Sequence, residues 1–305
     1  MRKDIAFKTD DGVTLRGWHY VPDAERHGRG PFPTVVMAHG FSATKELFLD
    51  KYAEHYCAAG LAVLVYDHRN LGASDGEPRQ EIDPWAQISG YRDAITYAET
   101  LPETDAGRIG VFGSSYSGGH VLVVAALDRR VKCVVSQVPL VDGPRNGQRL
   151  IPAYAMAGMR AMFDDDRRAR YAGAAPIRIP VTTNDGTPCA LPTADSYDFM
   201  VEVGGRKTDT WINEVTLRSM ELFLAYNPGA YIAQISPTPL LMIVELQDHL
   251  TVADLALEAY ERALQPKKLI ALPGGHFDAY ITHFEQAGGG SRDWFVEHLG
   301  AGSGR

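Results

Sequence analysis

The chain opens on an alternating pattern. IAFKT and VTLRGWHYV flank Asp10-Asp11-Gly12, a turn signal, and the spacing predicts a β-hairpin. Beyond the Gly/Pro-rich HGRGPFP the rhythm changes to short, unbroken apolar runs separated by longer segments of helical character. PTVVMAHG, LAVLVYD, RIGVFGS and VKCVVSQV read as strands, with helices over Lys45 to Ala59, Trp85 to Leu101 and Tyr116 to Leu127. Strands that are apolar on both faces belong to a parallel sheet covered by helices. Strand–helix alternation of this kind implies right-handed crossovers.

The alternation stops after Pro139. The stretch that follows holds AYAMAGMRAMF, a charge run at Asp164-Asp165-Asp166-Arg167-Arg168 read as the solvated start of a helix, and the helical-looking TWINEVTLRSMELFLAY. Alternation resumes with TPLLMIVEL (strand), Val252 to Leu264 (helix), KKLIALP (strand) and a closing helix in SRDWFVEHL. The expected fold class is α/β: a doubly wound, mostly parallel sheet with an inserted, largely helical cap. Residues 1–140 and 237–305 form the core and 141–236 the cap. An insertion at the carboxyl end of a strand lies over the ligand crevice of such a sheet.

Composition narrows the function. Among 305 residues, 30 Lys plus Arg face 38 Asp plus Glu, a net charge of −8 with no basic run, which argues against a nucleic-acid partner. Three cysteines rule out a disulfide scaffold, and none sits where a reactive thiolate is expected. No signal-peptide pattern is visible. The longest apolar run, Val121 to Leu127, is far short of the ~20 residues that span a bilayer. A cytoplasmic protein with no membrane partner is the expectation, and the oligomeric state is not readable. No His/Cys cluster with metal-ligand spacing and no phosphate-binding glycine loop occurs, so no metal or cofactor is expected.

The strongest chemical signal is RIGVFGSSYSGGH. A strand ends at Gly113 and a helix begins directly after Ser115, so the pattern small-x-Ser-x-small places Ser115 on a sharp strand-to-helix turn. Ser117 stands where the usual motif has its second glycine. The plainer reading is a serine-rich helix cap, and Ser114 and Ser117 compete as nucleophile. A serine needs a base, and His276 follows the last strand in a Gly-rich loop, PGGHFDAY. An orienting acid is expected at the end of the preceding strand, where Asp248 follows TPLLMIVEL; Glu245 and Asp254 are its alternatives. Ser115, Asp248, His276 is the chain order of the α/β-hydrolases. His249 should point away, His39 shapes its loop, His120 packs, and Asp67 anchors a turn. Backbone N–H groups of Tyr116 and Phe41 are the expected oxyanion donors. Tyr154, Met156, Met159, Met162, Phe163 and Trp211 could line a pocket in the cap, although Met and aromatics at such spacing are more often core.

These segments resemble the α/β-hydrolase superfamily over nearly the whole chain. VVMAHGFSATKELFL, YDHRNLGASDGEPRQEIDP, GSSYSGGH and PGGHFDAY are similar to polyketide hydrolases, thiohydrolases and transferases of secondary-metabolite pathways. Dienelactone hydrolases and the X-Pro dipeptidyl-peptidase and cocaine-esterase group are more distant likenesses. The resemblance implies Ser115, Asp248 and His276 as a triad with Phe41 and Tyr116 as oxyanion donors. The expected function is a serine hydrolase that cleaves an ester or thioester of a small-molecule acyl substrate, bulky and apolar or polyketide-like. An acyl or polyketide transferase is the alternative; a C–C hydrolase, a peptidase or a non-catalytic binding protein on the same fold are further ones.

Overall fold

The computed structural model describes residues 1–300. Its main strands are Arg2–Lys8 (β1), Thr14–Tyr20 (β2), Phe32–Ala38 (β3), Ala62–Tyr66 (β4), Thr104–Ser114 (β5), Val131–Gln137 (β6), Leu240–Glu245 (β7) and Lys267–Leu272 (β8). They form one sheet in the order β1-β2-β4-β3-β5-β6-β7-β8. The predicted hairpin is β1 and β2, joined across Asp10-Asp11-Gly12, and β2 is also antiparallel to β4. Every pairing from β4 to β8 is parallel, as the unbroken apolar strands require. β5 begins four residues earlier than RIGVFGS, through an irregularity in its pairing with β3 between Phe32 and Thr34.

The helices that cover the sheet are Leu49–Cys57 (α1), Pro84–Glu99 (α2), Tyr116–Leu127 (α3), Ala253–Arg262 (α7) and Phe284–Leu299 (α8). α2 packs with α3, and α1 with α8, in separate pairs against the sheet. The helix expected from Lys45 starts only at Leu49. Lys45 is drawn inward, where its Nζ reaches Asp67 at 2.7 Å and its backbone N–H donates to the same carboxylate at 2.8 Å; Phe48 then takes a left-handed conformation, φ 69°. α8 begins seven residues ahead of the Ser291 at which its apolar signal starts. No helix among the described residues is long and apolar enough to cross a membrane.

Between β6 and β7 lie Gly143–Leu150 (α4), Ala153–Tyr171 (α5) and Leu217–Ala225 (α6), a π-helical stretch at Asp198–Gly204 and a 3-10 stretch at Pro228–Gln234. Two expectations are corrected here. The aspartate run does not start a helix: it lies inside α5, and Asp166 is buried, accepting from Ile177 N–H and Arg170. The segment TWINEVTLRSMELFLAY is helical only from Leu217. Thr216 caps that helix by accepting from Ser219 N–H, and Val215–Thr216 pairs with Arg178–Ile179 as extended chain. The stretch is tied to the loop before α2: Ile82 N–H donates to Ser219 Oγ at 2.9 Å, and Arg218 forms an ion pair with Glu81.

Candidate active site

β5 delivers Ser115 at the carboxyl edge of the sheet with φ 59° and ψ −119°, a conformation that L-residues rarely adopt. The turn closes tightly. A Cβ at Gly113 would lie 2.0 Å from the carbonyl oxygen of Ser117, so only glycine fits two residues before Ser115. The strained backbone is held by neighbours on β6 and the loop after it: Ser115 N–H donates to Gln137 O at 2.9 Å, and Leu140 N–H donates to Ser115 O at 3.0 Å. Ser117 replaces the usual second glycine without a clash. Its hydroxyl donates to His39 O at 2.5 Å and therefore accepts from His68 Nε2 at 2.9 Å.

Ser115 Oγ lies 3.0 Å from His276 Nε2, and His276 Nδ1 lies 2.7 Å from Asp248 Oδ2. An ionised carboxylate only accepts, so Nδ1 carries the proton and Nε2 presents its lone pair to the serine hydroxyl. Asp248 is fixed in turn: its Oδ1 accepts from the backbone N–H groups of Leu250 and Thr251 at 2.8 and 2.9 Å. Thr251 Oγ1 lies 2.8 Å from Oδ2. All three side chains are buried, with Ser115 the most accessible at 9% exposure. The competitors stand elsewhere. Ser114 bonds Tyr280 and Gln137, Asp254 pairs with Arg149 on the surface, and His249 is exposed. Glu245 pairs with His283; burial pushes its carboxyl up, against the opposing pull of that histidine.

The loop after β3 passes directly over Ser115. A Cβ at Gly40 would meet Ser115 Cβ at 2.8 Å, so the chain runs against the serine immediately before Phe41. Neither Phe41 N–H nor Tyr116 N–H has an acceptor among the described residues, and Tyr116 opens α3, whose N-terminus favours an anion. Beneath them His39, His68 and His120 are completely enclosed. Burial holds all three imidazoles neutral, lowering His120 to about 3 and His68 well below its ordinary value. Asp67, as expected, anchors its turn, accepting from Lys45 N–H and Ala73 N–H.

Two small apolar chambers meet at Ser115, sharing Phe41, Leu191 and Leu250 as walls. One of them shares Leu150, Ala190, Met220 and Phe223 as walls with an outer cleft of about 740 Å³ between α4, α5, α6 and the 183–190 loop. Of the cap residues named from sequence, Met159 lines that cleft and Tyr154 stands on its rim, 89% exposed. Phe163 and Trp211 border none of these spaces. Phe163 is buried in the hydrophobic core, and Trp211 is half-buried with its indole N–H donating to Ser42 O at 2.9 Å. The lining residues that sequence reasoning missed, Leu191, Phe199, Met220, Phe223 and Leu250, arrive by long-range packing and carry no local signature. Thr251 had one: an Asp followed three residues later by Thr at a strand end is a capped-turn pattern.

A serine in line with a histidine and a carboxylate, one free N–H at a helix start and another on the loop after β3, and an apolar approach suit acyl chemistry. The comparisons agree. The model of the X-Pro dipeptidyl-peptidase (S15) family matches residues 11–278. The chain belongs to that family. It is thus an enzyme of the α/β-hydrolase type, with hydrolase or transferase activity. Among relatives, this S15-family chain is 35% identical to a thiohydrolase of Eupenicillium brefeldianum, over 91% of its own length and 88% of the relative's. It is 31% identical to the polyketide transferase grgF of a Penicillium species, over 98% and 97%. The crystal structure of the α/β-hydrolase GrgF from Penicillium sp. sh18 superposes with a TM-score of 0.84 at 29% identity, covering 98% of this chain and 99% of that one.

Proposed function

We propose that this S15-family enzyme cleaves a thioester or ester through an acyl-enzyme on Ser115. His276 takes the serine proton and passes it to the leaving group, Asp248 holds the imidazole in its tautomer, and the Phe41 and Tyr116 N–H groups receive the oxyanion. Residues 141–236 serve as a cap that admits a bulky apolar acyl group, polyketide-like in the manner of the relatives' names, into the outer cleft. The observation that carries the reading is the unbroken line from Ser115 Oγ to His276 at 3.0 Å and on to Asp248 at 2.7 Å, beginning at a strained serine. Two readings of the final step remain: water releases the acid, or an alcohol or amine takes the acyl group. The thiohydrolase and the polyketide transferase among the relatives support one each.

A fluorophosphonate probe tests this directly. Peptide mapping should place the label on Ser115, and the labelled enzyme should turn over no acyl thioester. Labelling at Ser114 or Ser117, or none with turnover intact, contradicts the assignment.

A further inference from the structure

Ser115 stands at the junction of two chambers, and His276 lines only one of them. The first, about 30 Å³, is walled by His276, Phe277, Tyr280, Phe199, Leu47 and Leu49. The second, about 20 Å³, is walled by Tyr116, Leu140, Met220, Phe223 and Thr251, without His276. An outer cleft of about 740 Å³ adjoins it across Leu150, Ala190, Met220 and Phe223, which border both spaces. The molecule therefore offers a small space alone on the imidazole side, and on the other a small space with a large cleft next to it.

The chemistry assigns the two sides. The imidazole must reach each atom that gains or loses a proton: the sulfur or oxygen that leaves, then the oxygen or nitrogen that attacks. The acyl chain exchanges no proton and needs only room. We infer that the chamber lined by His276 and Tyr280 is the leaving-group and acceptor subsite, and that the chamber lined by Met220 and Phe223, with the cleft beyond it, is the acyl subsite. This rests on the acyl-enzyme reading above. In the first half-reaction the Ser115 O–C bond forms, the C–S bond breaks and His276 delivers the serine proton to sulfur. In the second, the acceptor O–H proton passes to His276 as its oxygen bonds the acyl carbon; the Ser115 O–C bond then breaks and that proton returns to Ser115 Oγ.

Size makes the acceptor side selective. A water needs a space of about 10–15 Å³ on this measure, so about 30 Å³ holds one or two waters or the end of a small alcohol. Its polar walls besides Ser115 and His276 are His39, Ser114 and Tyr280, and both ring nitrogens of His39 are already engaged, by Gly40 O and His68 N–H. The Tyr280 hydroxyl, 2.5 Å from Ser114 Oγ, which also accepts from Gln137 Nε2, is left to position an incoming hydroxyl.

The test uses decanoyl and acetyl S-methyl thioesters as donors, with methanethiol release read by a thiol reagent. Methanol, butanol and benzyl alcohol are the acceptors, and the ester-to-acid product ratio is measured. Wild-type enzyme should transfer to methanol and fall off steeply at butanol and benzyl alcohol. Phe199→Ala should raise the butyl and benzyl ester fraction by roughly 10-fold or more while decanoyl stays preferred over acetyl; Phe199→Leu serves if the alanine variant does not fold. Met220→Ala should shift the decanoyl-to-acetyl preference and keep the ranking of alcohols. Tyr280→Phe should slow release to water and methanol alike relative to the methanethiol burst. The reverse pattern, with Phe199→Ala moving acyl preference and Met220→Ala moving acceptor ranking, overturns the subsite assignment, as does wild-type enzyme that takes benzyl alcohol as readily as methanol. Turnover without an acyl adduct on Ser115 overturns instead the reading beneath it.

Discussion

Ser115 is held in a conformation that costs on the order of 1–3 kcal/mol, and its hydrogen bonds to the Gln137 carbonyl and from Leu140 N–H keep it there. Glycine tolerates a positive φ far better than serine. Ser115→Gly should therefore raise stability by about 1 kcal/mol or more while turnover falls by about 10⁶-fold; thermal unfolding alongside an activity assay checks both, and an unfolding temperature that stays or drops removes the strain argument. Asp248→Asn should cut the rate by about 10⁴-fold at neutral pH because His276 loses its tautomer. Asp254→Asn, which touches only Arg149 on the surface, should leave the rate unchanged. Equal losses in the two variants would move the acid elsewhere. Ser115, Asp248 and His276 were each legible because each follows a strand end in a recognisable turn. Tyr280 and Leu250 were not, since only folding brings them to Ser115.

Among the elements, the helix α3 that follows Ser115 and the loop after β3 behave as one unit. Gly40 approaches Ser115 and the Ser117 hydroxyl donates to His39 O, so α3 itself fixes the backbone that carries Phe41. Ser117→Gly restores the usual glycine but removes that bond, worth about 1 kcal/mol. We expect kcat to fall roughly 5-fold, since 1.36 kcal/mol is a factor of ten, with KM little changed and the fold kept. Steady-state kinetics decide it: a variant as fast as wild type would mean that Ser117 does not position the loop. Parallel strands were legible because short continuous Val/Ile/Leu runs between turn signals suit strands buried on both faces. The start of the Lys45 to Ala59 helix was misplaced, because propensity does not reveal that Lys45 turns inward to pair with Asp67. α5 hid its length in the same way: its charge run looks like a surface start, but Asp166 faces inward to cap Ile177.

At the scale of the whole molecule, three neutral histidines beneath the site couple stability to pH. Burial depresses His39, His68 and His120 in the folded state, His120 to about 3. An unfolded chain takes up those protons at about 6.5. Their contribution is thus complete above pH 6.5 and is lost as pH falls below it. His120 alone should lower the unfolding free energy by about 2 kcal/mol between pH 7.5 and pH 5, and His39 and His68 act in the same direction. Denaturant melts at the two pH values test this; a protein equally stable at both contradicts it. The break in alternation between Pro139 and Thr238 was legible, and mostly helical segments occupy that stretch. Its apolar wall was not, because Met220 and Phe223 sit on a helix whose start depends on the long-range pairing of Val215–Thr216 with Arg178–Ile179.

Everything turns on a covalent intermediate at one atom. Mixing the enzyme with a decanoyl thioester, quenching in acid within the first turnovers and weighing the intact protein should show a decanoyl adduct that maps to the peptide containing Ser115, absent in Ser115→Ala. Steady turnover of the thioester by Ser115→Ala, or by wild-type enzyme with the acyl group on another residue, would contradict the account at its centre.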